Sequence, residues 1–129
     1  MPALAAKAQA DLCILRGANV VLAAARYEGV REATGHNDGA AVERILERTG
    51  LAKGNAWCGA FTYAVFGDAG CGLPGGARAF AWAPTWHPAE RRVWSRRQGD
   101  NEGFSGAGPK SPMPGDVFGL YYAHLKRIG

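Results

Sequence analysis

The spacing of apolar side chains predicts two helices early in the chain. Residues 18–28 place their apolar side chains on one helical face, and Gly29 then ends the helix. That face consists of Val20, Val21, Ala24 and Ala25. Residues 41–48 repeat the i, i+3, i+4 spacing, with Gly50 as the C′ residue. Residues 1–17 permit a helix, and we treat them as an N-terminal extension.

A third, apolar helix is predicted from just after Asn55 to about Asp68. Asparagine is a favourable N-cap, so the helix would begin directly behind it. Cys58 would then occupy the third helical position, within the first turn.

The second half of the chain predicts loops and strands. Residues 70–86 are rich in Gly, Pro and aromatic side chains, which predicts a long loop, and residues 84–90 permit a short helical turn. Residues 100–114 also predict a loop. Residues 117–122 (VFGLYY) give the strongest strand signal, and residues 92–95 permit a short strand. Helices first and strands last predict an α+β domain over residues 18–129, with a sheet that looks incomplete.

Composition and charge narrow the possible partners. The chain has 129 residues, enough for one domain, and no apolar stretch long enough to span a membrane. It also lacks the apolar core of a signal peptide. The net charge is +4, with a cluster at Arg91, Arg92, Arg96 and Arg97. This cluster favours an anionic partner, a nucleic acid or an acidic wall polymer, or is simply a solvated face.

The cysteine pattern points to a reactive thiol. The three cysteines, Cys13, Cys58 and Cys71, form no CxxC pair, so their pattern indicates neither a disulfide framework nor a zinc site. We also expect no other metal and no cofactor. At a helix start, unpaired N–H groups and the helix dipole stabilise a thiolate, which makes Cys58 a candidate nucleophile. The alternative is a small buried residue, and we expect Cys13 and Cys71 to be inert.

A cysteine nucleophile also needs a base, usually a histidine. The chain offers His36, His87 and His124, each of which has a structural or solvated alternative. His124 has the best spacing, because a strand laid against the start of the cysteine helix could carry it to the thiol.

Four ordered segments together resemble the CHAP amidohydrolase/peptidase family, a branch of the papain-like cell-wall cysteine hydrolases. They are residues 30–39 (VREATGHNDG), 55–61 (NAWCGAF), 81–86 (AWAPTW) and 114–118 (PGDVF). The resemblance implies a papain-like fold with the Cys58 helix packed on an antiparallel sheet. It also implies hydrolysis of amide bonds in peptidoglycan, with histidine and a polar orienting residue supplied by neighbouring strands.

The resemblance departs from the family at the end of the chain. The family histidine, followed by Val-Gly, comes immediately after the stretch that matches residues 121–129 (YYAHLKRIG). By this alignment His124 occupies a variable turn position, and the general base, the orienting residue and several strands would lie beyond Gly129. We therefore expect an incomplete domain, with His124 as a tentative base.

The same resemblance suggests how a substrate binds and where the protein acts. Asn55, Trp57, Trp82 and Trp86 are expected to line a groove for the peptide stem of peptidoglycan, with core packing an alternative for Trp57. We expect a monomer that acts at the bacterial cell wall. A wall-binding module without catalysis is the alternative function. A nucleic-acid binder would rest only on the arginine cluster, without a recognition motif, so we expect no nucleic-acid partner.

Overall fold

The computed structural model describes residues 15–71, 73, 76–87, 113–122, 124, 127 and 128. The helices are α1 (residues 15–25), α2 (Ala40–Glu47), α3 (Cys58–Asp68), α4 (Ala77–Phe80) and a 3₁₀ helix (Ala83–Trp86). The strands are β1 (Tyr121–Tyr122) and β2 (Arg127–Ile128).

Helices α1, α2 and α3 supply the buried core. The side chains that form it are Val20, Ala23, Val42, Ile45, Leu46, Ala60, Ala64 and Val65. On α1, Val20 and Ala23 face inward while Val21 is 49% exposed, so the predicted apolar face is displaced by about one position.

The prediction of a helix at residues 41–48 is confirmed, because α2 begins and ends within one residue of those bounds. Its buried positions have the expected spacing, and Gly50 has φ of 74°, the left-handed conformation of a C′ residue. The Gly50 N–H donates to the Glu47 carbonyl at 3.0 Å, and the Leu51 N–H donates to Leu46 at 3.1 Å. These two bonds satisfy carbonyls that the helix end would otherwise leave unpaired.

Helix α3 begins three residues after Asn55, at Cys58 itself, so the predicted N-cap was wrong. Trp57 occupies the N-cap position and provides no side-chain cap. The Asn55 side chain instead donates from Nδ2 to the Ala52 carbonyl at 2.9 Å, which ties it to the preceding turn.

The region predicted as a long loop, residues 70–86, contains two short helices that pack on α3. Gly59 allows this packing, because a Cβ there would lie 2.6 Å from the Phe80 carbonyl oxygen and still closer to that of Ala81. The start of α3 is therefore in backbone contact with the end of α4.

A polar network ties the C-terminal end of α3 to the ends of α1 and α2. Arg48 donates from Nη2 to Asp68 at 2.6 Å and from Nη1 to the Ala64 carbonyl at 2.9 Å. The Tyr27 hydroxyl also donates to Asp68. The Arg48 hydrogen bond lowers the pKa of Asp68, while burial and the bond to Asp68 raise that of Tyr27.

The predicted fold class, a papain-like α+β domain with the cysteine helix packed on an antiparallel sheet, is contradicted. Helices supply the described core, and strand pairing in the described part is limited to a two-residue ladder, Tyr121 with Ile128 and Tyr122 with Arg127. Of the predicted strand at 117–122, only the last two residues are paired. β-rich composition predicts extended backbone, whereas a strand also needs a partner, which composition does not supply.

Several predictions lie outside the described residues. These are Cys13, the strand at 92–95, the arginine cluster, nearly all of the loop at 100–114 and most of the N-terminal extension. Among the described helices, none combines the length and apolarity needed to cross a bilayer.

Candidate functional site

The Cys58 thiol is exposed at the first residue of α3. The first backbone hydrogen bond of the helix runs from the Phe61 N–H to the Trp57 carbonyl at 2.7 Å. The N–H groups of Cys58, Gly59 and Ala60 precede that bond, and no N-cap side chain accepts from them. The sulfur therefore lies at the positive end of a helix whose first N–H groups lack a side-chain cap. Of these three residues Cys58 is exposed, whereas Gly59 and Ala60 are buried.

The loop of residues 31–39 docks on the segment that leads into Cys58. The Gly54 N–H donates to the Asn37 carbonyl at 2.9 Å, and Asn37 Nδ2 donates back to the Gly54 carbonyl at 3.3 Å. Asn37 has φ of 56°, a left-handed conformation that asparagine tolerates better than most residues. Two segments that the sequence singled out separately are thus neighbours in space.

Asp38 closes the 31–39 loop internally, as its turn-rich sequence indicates. Its carboxylate accepts from the Thr34 N–H at 2.9 Å and from the Thr34 hydroxyl at 2.5 Å. These two bonds lower the pKa of Asp38. His36 joins the turn, with its Nδ1 3.1 Å from the Thr34 hydroxyl oxygen.

Trp57, which was predicted to line a substrate groove with core packing as the alternative, packs against the hydrophobic core. The indole is partly buried against the cluster that contains Val42 and Leu46, and it meets Phe61 edge-to-face at 6.2 Å. Its Nε1–H donates to Glu32 Oε1 at 2.8 Å. Glu32 was not among the predicted site residues, although its place in the 30–39 motif was the available signal.

Trp82 and Trp86 have different environments. Trp86 is held by a hydrogen bond from Nε1 to the Phe80 carbonyl at 2.8 Å and by ring contacts with Phe80 and Phe66 at 5.1 and 5.4 Å. Trp82 is 68% exposed. Of the two, Trp82 therefore offers the larger surface to a ligand. It directly follows Ala81, whose backbone contacts the start of α3.

His124 is exposed in the turn between β1 and β2. None of the hydrogen bonds between described side chains uses the Cys58 thiol, so those bonds do not join Cys58 to His124, the predicted base. His36 and His87 lie in the 31–39 loop and directly after the 3₁₀ helix. Asn55, one of the predicted groove residues, is exposed just before the cysteine.

A surface depression of about 650 Å³ lies at the other end of α3. Its lining includes Arg16, Phe66, Cys71 and Asp116 and no residue of the Cys58 turn. The exposed thiol is therefore separate from this depression. No protein-family model, curated protein or solved structure matches the chain.

Proposed function

We propose that the protein is a cysteine hydrolase that cleaves an amide or peptide bond of bacterial peptidoglycan, with Cys58 as the nucleophile. The observation that carries this proposal is the exposed thiol at the first residue of α3, beside backbone N–H groups that no side chain caps. Acyl transfer needs a nucleophile and an oxyanion donor close together in space, and in the Cys58 turn the thiol and the backbone N–H belong to the same residue.

The proposed reaction has two balanced steps. The Cys58 sulfur bonds to the substrate carbonyl carbon and the C–N bond breaks, while the thiol proton passes through a histidine to the departing amine. Water then cleaves the thioester, which releases a carboxylate and restores the thiol. The Cys58 N–H donates to the oxyanion in both steps, and His124 is the histidine we propose as the base.

The resemblance of four segments to CHAP hydrolases supports the substrate class, the peptide stem of peptidoglycan, and action at the cell wall. Trp82 adds a physical argument, because an exposed indole provides a large apolar contact surface for a peptide or sugar. We propose a monomer that binds this stem along Trp82 and the Cys58 turn, with Asn55 at its edge, and that needs neither metal nor cofactor.

A wall-binding module without catalysis is the second candidate. The observation that favours it is that the Cys58 thiol takes part in none of the hydrogen bonds between described side chains. Such a module would use the exposed Trp82 for binding and would not need an activated sulfur.

Wall digestion separates the two functions. Purified bacterial walls are incubated with the protein, and released fragments with new amino groups are identified by mass spectrometry. We expect release by the wild type, loss of release in Cys58→Ser, and normal release in Cys71→Ser, the matched change at the partly buried thiol. Equal release by wild type and Cys58→Ser would overturn the hydrolase proposal. Sedimentation with the walls and no release, in both proteins, would support the binding module.

The base is tested by replacing His36, His87 and His124 with alanine one at a time. We expect His124→Ala to lower the hydrolysis rate about 10²- to 10⁴-fold, the contribution of general acid–base catalysis, and the other two to have small effects. A loss confined to His36→Ala or His87→Ala would move the base to that residue.

A further inference from the structure

We infer that Glu32 is a positioning residue that fixes the Cys58 turn through the indole of Trp57; this inference rests on the proposed function. Its starting point is the hydrogen bond from Trp57 Nε1–H to Glu32 Oε1, at 2.8 Å. Trp57 is both the N-cap residue of α3 and the residue directly before the nucleophile. A side chain that holds Trp57 therefore also limits the movement of the peptide group that carries the Cys58 N–H.

The indole has little freedom apart from this bond. It packs against the core cluster of α2 and α3 and meets Phe61 edge-to-face at 6.2 Å. The Trp57 carbonyl accepts the first hydrogen bond of the helix, from the Phe61 N–H at 2.7 Å. The ring and the carbonyl are thus both attached to the scaffold, and Glu32 sets the remaining rotation of the ring. A hydrogen bond to a charged acceptor is stronger than one between neutral groups, so it suits this task.

The Glu32 bond also links the 31–39 loop to the cysteine segment at a second point. The first link is the pair of hydrogen bonds between Asn37 and Gly54. Two attachments, one before and one directly beside Cys58, hold the residues between them in one conformation. The loop thereby acts as a brace for the candidate nucleophile and its oxyanion donor. Such preorganisation matters in catalysis because a small misplacement of reacting groups costs a large factor in rate.

The role assigned to Glu32 is positioning rather than proton transfer, because its Oε1 accepts a hydrogen bond from an indole N–H, a group that does not ionise near neutral pH. The amide oxygen of glutamine could accept the same bond without a charge. A general base or an orienting carboxylate would not be replaced in this way. The Gln and Leu variants therefore separate the two roles.

The experiment compares Glu32→Gln, Glu32→Leu and Trp57→Phe, with Glu28→Leu as the matched control at an exposed glutamate. Trp57→Phe retains an aromatic ring in the core and removes the N–H donor. We expect Glu32→Leu and Trp57→Phe each to lower kcat for wall hydrolysis about tenfold with KM nearly unchanged. Glu32→Gln should retain most of the activity, and Glu28→Leu all of it. The double variant Glu32→Leu/Trp57→Phe should lose no more than either single variant, because both remove the same bond.

Two measurements on the protein without substrate keep this test independent of hydrolysis. The Trp57 indole N–H signal in NMR should be protected from exchange in the wild type and Glu32→Gln, and exposed in Glu32→Leu. Alkylation of Cys58 by iodoacetamide should slow in Glu32→Leu while alkylation of Cys71 stays constant.

The possible failures are distinguishable. Loss of hydrolysis in Glu32→Gln as well as Glu32→Leu would overturn positioning and indicate a chemical role for the carboxylate. Unchanged indole protection and unchanged Cys58 alkylation in Glu32→Leu would overturn the inference even if the wild type hydrolyses walls. A third outcome is that the wild type fails to hydrolyse walls while Glu32→Leu still shows loss of indole protection and slower Cys58 alkylation. That result would contradict the proposed function but support the positioning role of Glu32.

Discussion

The two ends of helix α3 carry thiols in opposite settings. At the C-terminal end, Cys71 is partly buried, and its Sγ lies 3.9 Å from the Ala69 carbonyl. Its backbone N–H donates to Phe66 at 2.9 Å, and the neighbouring Asp68 is bonded to Arg48 and Tyr27. At the N-terminal end, Cys58 is exposed and the first N–H groups have no side-chain cap.

The two ends of α3 are anchored to the rest of the protein in different ways. The C-terminal end uses its backbone and charged groups for structural bonds, which anchor α3 to α1 and α2. The N-terminal end is anchored through neighbouring residues instead: the ring of Trp57 in the core and the backbone of Gly59 against α4. Cys58, the first residue of the helix, remains exposed.

The largest expected effect is an opposite response of the two ends to the same substitution. Gly59→Ala would place a Cβ against the carbonyl groups of Phe80 and Ala81, where no flexible side chain can yield, so we expect a loss of about 1–3 kcal/mol in the free energy of unfolding. Gly67→Ala, nearer the other end, meets no atom within 4 Å and should gain about 0.5–1 kcal/mol from helix propensity. Urea denaturation measures both, and equal changes would contradict the close contact at Gly59.

The next effect is a difference in reactivity between the two thiols. We expect iodoacetamide to modify Cys58 about ten times faster than Cys71 in the folded protein, because Cys58 is exposed at the helix start while Cys71 is partly shielded. In urea the two rates should converge. Peptide mass spectrometry after timed quenching gives both rates from one sample. Equal alkylation rates of Cys58 and Cys71 in the folded protein would contradict the expected difference between the two ends of α3.

The smallest effect concerns the charged anchor at the C-terminal end. Asp68→Asn should cost at most about 1 kcal/mol at neutral pH, since the Arg48 and Asp68 side chains are 41% and 24% exposed and solvent screens the pair. Because Arg48 lowers the folded-state pKa of Asp68, this stabilisation is complete above the unfolded-state pKa of about 4 and is lost as pH falls through the lower folded-state pKa.

Thermal unfolding between acid and neutral pH measures this loss. The gap between wild type and Asp68→Asn should close on acidification. Glu47→Gln, at an exposed residue of α2, is the charge-matched control and should show a smaller gap throughout. A gap that is constant with pH would show that the carboxylate charge is not the source of the anchor's stability.

The fold was predictable where a local signal decided it. Helix α2 follows from three apolar positions at helical spacing and from Gly50, whose left-handed backbone ends the helix. The start of α3 was not predictable in this way, because the Asn55 side chain bonds to Ala52 and leaves the N-cap position to Trp57. The strand at 117–122 was mostly wrong because pairing depends on a second strand, which composition alone does not identify.

The residues of the candidate site also differ in whether local sequence or distant contacts decide their environment. The sequence predicts Cys58 as a candidate nucleophile, because a cysteine near the start of an apolar helix has a physical reason to be reactive, and the structure places it exposed at the first residue of α3. Glu32 was not predicted, since its contact with Trp57 joins residues 25 positions apart. The environments of the tryptophans were also decided at long range: Trp57 enters the core, whereas Trp82 remains at the surface.

By itself, the sequence determined the cysteine on an apolar helix and the periodicity of α2. These features depend on residues a few positions apart, whose geometry is set by backbone dihedrals and local hydrogen bonds. Only the tertiary structure decided that helices form the described core, that the 31–39 loop braces the cysteine turn, and that the two ends of α3 differ. These outcomes depend on which distant surfaces are buried together, and burial is a property of the packed chain rather than of any one segment.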